Sequence, residues 1–279
     1  MRILISADAE GVSGVTNTNE LLFGRPHYDF LRDQMTADCN AAIAGAFAGG
    51  ATEVVVNDAH WTMTNIRIED LDPRADLIKG FHKPLCMVEG VQDADAVFFL
   101  GYHARTGDSD GVGNETILGR EIVEVRMNGK PAGESEINAA VCGDFGVPVV
   151  FASGDHLYER ELRQTLPEIE FGLTKYALDR WAARCLSLQR ARANIEAAAR
   201  RAVERASAGA FSPLAPGGPV ELSVTFSSTA EALMAALVPG TVRETPRTVS
   251  YAAPTATEAW KGFFAALLLG WSATDEVYG

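Results

Sequence analysis

The first eleven residues constrain this chain more than any later stretch. Arg2 to Ser6 (RILIS) is a short run of mostly β-branched and leucine residues near the chain start, which is how a buried central strand reads. It leads into Asp8-Ala9-Glu10-Gly11. Side chains two apart on a strand share a face, so Asp8 and Glu10 project together if the extended geometry persists. Gly11 then permits a backbone turn that a Cβ would hinder. Two carboxylates at the end of a buried strand are costly unless something positive sits between them. A basic side chain, with Lys83 and Arg105 as candidates, or a metal ion would serve.

The rest of the chain alternates strand and helix patterns. Apolar residues recur at helical spacing from Tyr28 to Ala48, and Gly49-Gly50 ends that run. Strands are expected at Thr52 to Val56, more weakly at Ala75 to Ile78, then at Ala94 to Leu100 and Pro148 to Ser153. Met87 to Gly90 reads as a loop or short helix. Ile122 to Met127 followed by Asn128-Gly129 is a hairpin signal, and a helix is expected from about Ser135 to Phe145. Residues 104–116 read as a polar loop, and Leu188 to Ala206 as a long helix whose charges form a solvated face. The fold class is therefore α/β, an open, mostly parallel sheet with helices on both faces. A Pro/Gly-rich stretch from Ser212 to Pro219 marks a boundary. It divides a metal-binding α/β domain, residues 1–211, from a smaller C-terminal α/β lobe, residues 219–279.

A net charge of −13 argues against nucleic acid or an anionic membrane as the main partner and suits a protein that holds cations. No apolar run approaches the ~20 residues of a membrane span, and the N-terminus reaches Asp8 too soon for a secretory signal. Cys39, Cys86, Cys142 and Cys185 form no CxxC pair and read as reduced core residues. A cytoplasmic location is expected.

In an open α/β sheet, ligands bind outside the carboxyl ends of the strands. Three expected strands end there in groups that bind metals: Asp8 and Glu10, His60, and His103. With only five histidines in the chain, two at that edge are informative. Glu134, after the hairpin, is placed to reach the same edge. Imidazole nitrogens favour zinc over magnesium or calcium. Five ligands exceed what one catalytic zinc uses, and a pair sharing one carboxylate, with Asp8 as the natural bridge, uses them better. Each residue alone also has an ordinary reading. A histidine after a strand is commonly a hydrogen-bonded loop residue, Glu134 would suit a helix N-terminus, and Asp8 could be a phosphate-transfer nucleophile or a cap.

Five short motifs occur in order: Ser6-Ala7-Asp8-Ala9-Glu10-Gly11, Val56-Asn57-Asp58-Ala59-His60, Met87-Val88-Glu89-Gly90, Leu100-Gly101-Tyr102-His103-Ala104-Arg105 and Gly133-Glu134. Together they resemble the D-aminopeptidase family of zinc metallopeptidases, peptidase family M55. The likeness runs through about Asp155 and continues more weakly toward Lys175, the Cys185 segment and Met234 to Gly240. The resemblance implies two zinc ions per chain (manganese or cobalt being other options), held by Asp8 as bridge, Glu10, His60, His103 and Glu134. It also implies hydrolysis of an amide at the amino end of a small peptide or amide substrate, with D-amino-acid peptides preferred. A homo-oligomer of stacked rings is expected on the same ground. One departure stands out. Where the family's D-aminopeptidases have a catalytic histidine, eleven residues beyond His103, this chain has Asn114, followed by Glu115. Asparagine cannot shuttle a proton near neutral pH but can donate a hydrogen bond to an oxyanion, and Glu115 could act as acid and base. The departure also keeps open an amidase or deacylase acting on a non-peptide or L-configured amide. A metal-dependent peptide-binding protein without turnover is a further alternative.

Overall fold

The computed structural model describes residues 1–108 and 110–274. The elements run β1 (Arg2–Ala7), α1 (Thr18–Leu21), α2 (Tyr28–Ala48), β2 (Glu53–Asp58), β3 (Ala75–Ile78), β4 (Ala96–Leu100), β5 (Ile122–Met127), β6 (Lys130–Pro131), α3 (Glu134–Asp144) and β7 (Val149–Asp155). They continue with α4 (His156–Thr165), β8 (Glu170–Asp179), β9 (Ala182–Cys185), α5 (Leu188–Ser207), β10 (Val220–Phe226), α6 (Thr229–Ala235), β11 (Thr241–Arg243), β12 (Thr248–Ala253) and α7 (Ala256–Trp271). Seven strands form one sheet in the order β3-β2-β1-β4-β7-β8-β9, parallel throughout except for the antiparallel edge pair β8–β9. The α/β class and the mostly parallel sheet agree with the sequence expectation.

Alternation along the central strands builds two cores. Ile3, Ile5, Ala7, Phe98 and Leu100 face the packed pair α2 and α5, whose Leu31, Met35, Ile43, Ile195 and Ala199 complete one apolar layer. Leu4, Val97 and Phe99 point the other way, into a layer shared with α3, α7 and the inner face of a second sheet. A strand buried on both faces must be apolar at every position, which is why RILIS and AVFFL read as unbroken runs. The exposed arginines of α5 lie on its outer face, as its charge pattern indicates.

The second sheet is antiparallel, in the order β11-β12-β10-β5-β6. The C-terminal segment supplies β10, β11 and β12, and the Asn128-Gly129 hairpin supplies β5 and β6 from before the Pro/Gly boundary. The second sheet therefore draws its strands from both sides of residue 211. Its helix α7 seals the interface with buried Trp260, Phe263 and Leu267.

Two local expectations need correcting. Residues 104–116 are not wholly a surface loop, because Gly111, Val112, Gly113 and Thr116 are buried. The Val112 amide donates to Asp155 Oδ2 at 2.9 Å and the Gly113 amide to the Arg180 carbonyl at 2.8 Å, so the polar backbone is satisfied internally. Cys185 is exposed, whereas Cys39, Cys86 and Cys142 are buried, and all four are free thiols. Among the described residues, no helix is long and apolar enough to cross a membrane.

Candidate metal centre

In the first sheet the strand order reverses between β1 and β4, and the crevice outside their carboxyl ends is where such folds place a ligand. β1 stops at Ala7, so Asp8 and Glu10 do not share a face by strand alternation. They converge through a turn instead. The Asp8 amide still pairs with the Leu100 carbonyl at 2.8 Å, and the Gly11 amide reaches the Gly101 carbonyl at 2.8 Å. Gly11 is needed for this close approach rather than for an unusual φ, because a Cβ there would run into the Tyr102 and Gly101 carbonyl oxygens. Gly113 has a φ of +62° and lies against the Glu10 side chain, where a Cβ would collide.

Around this turn the remaining predicted ligands assemble. His60, two residues beyond β2, places Nδ1 3.3 Å from Asp8 Oδ1 and 3.4 Å from Glu10 Oε2. His103, three beyond β4, places Nε2 3.2 Å from Asp8 Oδ2 and 3.3 Å from Glu134 Oε2. Each imidazole is anchored through its other nitrogen. His60 Nε2 donates to the Leu21 carbonyl at 3.1 Å and His103 Nδ1 to the Ala104 carbonyl at 3.0 Å, which fixes both rings with one nitrogen free for an ion. Glu134 opens α3 and accepts the Ile117 amide on Oε1 at 2.7 Å, leaving Oε2 for the cluster.

Glu115 joins this group. One ligand atom each from His103, Glu115 and Glu134 lie within 4.8 Å of one another, as do atoms of Asp8, Glu10 and His103. His103 belongs to both triads. The Asn114 amide donates to the Gly111 carbonyl at 3.2 Å, and Glu115 is among the residues lining the cavity above the cluster.

The donor set fits a divalent metal. Asp8 Oδ2, Glu10 Oε2, Glu134 Oε2, Glu115 Oε2 and His103 Nε2 are all buried without an aligned hydrogen-bond partner, although native interiors leave few polar atoms unpaired. The basic side chains that would have offered another explanation are engaged elsewhere. Lys83 donates to Asn57 Oδ1 and the Asp58 carbonyl, and Arg105 contacts Asp108 at 2.9 Å and Glu161 at 3.8 Å. Electrostatics record the crowding. Burial opposes charge on His60 and His103, but the adjacent carboxylates outweigh it and hold both pKa values well above the ordinary imidazole range. Burial would raise Asp8, yet the two histidines hold it below the usual carboxylate range. Burial, then the charges of Glu134 and Glu10, push Glu115 well up, and burial raises Glu134. Without a cation, His60, His103, Glu115 and Glu134 thus favour their protonated forms, and a bound ion would displace those protons.

The motif residues outside the ligand set form the support beneath it. Ser6 Oγ donates to the Met87 carbonyl and contacts the Tyr102 hydroxyl at 2.7 Å, and Asn57 Nδ2 donates to Met87 O at 2.7 Å. Asp58 receives the Asn65 and Ile66 amides at 2.6 and 2.8 Å, fixing the loop that carries His60. Two supporting groups were not identified as such from the sequence. Asp155 caps α4 and holds the Val112 amide, while Lys175, fully buried on β8, donates to the Glu10 carbonyl at 2.7 Å and to the Val15 carbonyl. A lone lysine inside the apolar alternation of β8 was the available signal.

With this geometry in place, known proteins give a consistent result. The sequence pattern of the D-aminopeptidase family (peptidase family M55) matches residues 1–265. The chain belongs to the D-aminopeptidase family. It is 35% identical over 263 residues to a D-aminopeptidase of Bacillus subtilis (strain 168), covering 94% of each chain. It is also similar to a solved structure described as the Zn-dependent D-aminopeptidase DppA from Bacillus subtilis, a self-compartmentalizing protease. The TM-score is 0.94 at 33% identity, with 99% of this chain and 100% of that one covered. The family is one of peptidases, and four of the five motifs read from the sequence carry residues of the cluster while the fifth, Met87 to Gly90, lies in the support beneath it.

One support outside the cluster makes stability pH-dependent. Glu161 accepts the Arg105 amide at 3.1 Å, and burial, together with Glu136 and a hydrogen bond to Asp108, raises its pKa from 4.5 to about 8. The folded state therefore holds a proton that the unfolded chain releases, and this contribution to stability is lost as pH rises from about 4.5 to about 8. Glu161→Gln is expected to flatten that slope, raising the melting temperature at pH 8.5 more than at pH 5. Equal shifts at both pH values would contradict it.

Proposed function

We propose that this chain is a two-zinc hydrolase that cleaves the amide next to the free amino group of a small peptide or amide, with Asp8 bridging and Glu10, His60, His103 and Glu134 completing the ligand set. The observation that carries the reading is the convergence of five buried, unpartnered donor atoms, four from Asp8, Glu10, His103 and Glu134 and the fifth from Glu115, with both imidazoles locked by backbone carbonyls. Zinc bound there would polarise a carbonyl and lower the pKa of water toward neutrality. The D-configuration is proposed from the relatives.

The chain's own residues supply the rest. The chain's net charge of −13 favours the approach of a substrate that carries an ammonium group. Glu115 projects into the cavity with Oε2 unpaired and takes the proton-transfer role, accepting a proton from the attacking water and returning it to the leaving amine. Glu115→Gln preserves the shape while removing the proton carrier, and turnover is expected to fall by roughly a hundred- to ten-thousand-fold with zinc content unchanged. Undiminished turnover would remove Glu115 from the mechanism.

A second reading, an amidase acting on a non-peptide or L-configured amide, is favoured by one feature. Among the described residues, no lysine or arginine lines the cavity to pair with the carboxylate of a free dipeptide. Ammonia and amine release from D-aminoacyl peptides, their L isomers and simple amides separates the two readings. We further propose self-association into stacked rings and a cytoplasmic location. The structural relative DppA is a self-compartmentalizing protease, and exposed Phe23, Leu178 and Leu237 of this chain offer apolar surface for such contacts.

A further inference from the structure

A cavity of about 290 Å³ opens above the metal cluster, with Asp8, His60, Glu115 and Glu134 at one end. Beyond that end the lining is apolar except for Thr62. Met63, Phe81 and Ile117 form walls contributed by the first lobe, and Trp260, Phe264 and Leu268 form the wall contributed by α7. Trp260 and Phe264 stack with ring centroids 5.0 Å apart and planes 17° from parallel, presenting a flat aromatic surface. Trp61 and Trp271 also line the cavity and are 54% and 45% exposed, placing them toward its mouth. Such a chamber, polar at one end and aromatic along the walls, is a pocket for a ligand with a charged head and an apolar body.

Backbone strain singles out the same place. Five non-glycine residues among those described have positive φ. Asn128 is in the hairpin turn, where asparagine commonly adopts it. The other four, Trp61, Met63, Cys86 and Ile117, all line this cavity, at φ of 48°, 54°, 49° and 64°. Ile117 is β-branched, for which this region is particularly unfavourable. Its amide also holds Glu134, so one strained residue both aims a cluster carboxylate and contributes to the apolar wall. Strain of this kind persists where the surrounding structure enforces it and collects at functional sites.

We infer that the pocket selects amides of amino acids with a bulky aromatic or branched apolar side chain, which lies against Trp260 and Phe264 while the amino group and scissile carbonyl face the cluster. This rests on the hydrolase reading and names the substrate class for it. A methyl side chain would leave most of the apolar wall uncovered, and each additional buried methylene adds favourable transfer energy. A hydrophobic pocket discriminates by roughly tenfold or more for even a small change in apolar size.

The test uses the zinc-loaded full chain and two readouts. The first is kcat/KM for D-phenylalaninamide against D-alaninamide, followed by ammonia release. The second is the binding of D-phenylalaninol against D-alaninol, which keep the amine and side chain but have no bond to cleave. Trp61, Trp260 and Trp271, three of the four tryptophans, line the cavity, so intrinsic fluorescence reports occupancy. Both readouts are expected to favour the phenyl compound by at least roughly tenfold, and Phe264→Ala to reduce that ratio severalfold. Trp271→Ala, at a partly exposed position and so removable without opening a core void, is expected to reduce it too. Equal binding of the two alcohols, binding of neither, or equal turnover of the two amides would overturn the pocket assignment. Discriminating binding with no turnover of any amide would uphold the pocket and overturn the hydrolase reading.

Discussion

Replacing His103 by alanine is expected to lower bound zinc from about two ions per chain to one or none and to reduce amide hydrolysis by about a thousandfold or more, equivalent to ~4 kcal/mol of transition-state stabilisation. The size of the effect follows from position. His103 Nε2 lies 3.2 Å from Asp8 and 3.3 Å from Glu134, and His103 belongs to both triads of donor atoms. Its removal therefore weakens two potential ion positions at once. His60 approaches only Asp8 and Glu10, so His60→Ala should cost one ion before the other. Elemental analysis of the purified wild-type and variant chains, run beside the assay, makes the comparison. No stoichiometric metal in the wild type after addition of zinc or manganese would refute the metal assignment. Equal metal loss in the two variants would refute the shared role of His103.

The sequence made the five proposed ligands legible because each sits just beyond a buried strand or at a helix start. Apolar runs such as AVFFL mark where those strands end. The parallel order of the sheet follows from the same alternation. What the runs cannot encode is how the chain turns after the strand. Asp8 and Glu10 meet His60 through a turn that depends on the approach of Gly11 to the Tyr102 and Gly101 carbonyls, a contact between segments about ninety residues apart. The β8–β9 pair was also illegible. Gly172 and buried Lys175 interrupt its apolar pattern, and Lys175 is tolerated only because the Glu10 and Val15 carbonyls receive its ammonium group. The substrate end was hidden for a similar reason. Trp260 and Phe264 lie on the apolar helix α7, and only the packing of that helix brings them into the cavity above the cluster. Local pattern thus reports what each element buries, while the site is made by contacts between elements.

Chelation should destabilise the folded chain strongly, and the response of one carboxylate should change sign with metal. Zinc present at about a thousand times its dissociation constant contributes ~4 kcal/mol to folding. For a chain of this size that is a melting-temperature difference of about 10 °C between loaded and stripped protein. Without metal, Glu134 is a buried carboxylate whose charge opposes ionisation of Glu115, and burial raises its own pKa above 4.5. A raised carboxyl pKa means the folded state resists ionisation, so the cost grows as pH rises past the unfolded value. Glu134→Gln removes that cost and keeps an oxygen for the Ile117 amide. The stripped variant should therefore melt a few degrees above stripped wild type at pH 8, with a smaller gain at pH 5. In excess zinc the order reverses, because the variant has lost an anionic donor. Calorimetric scans of both proteins with zinc and with chelator decide the matter. A variant less stable than wild type under both conditions would show that Glu134 serves the fold rather than an ion, since a purely structural carboxylate has no reason to be better removed when the metal is gone.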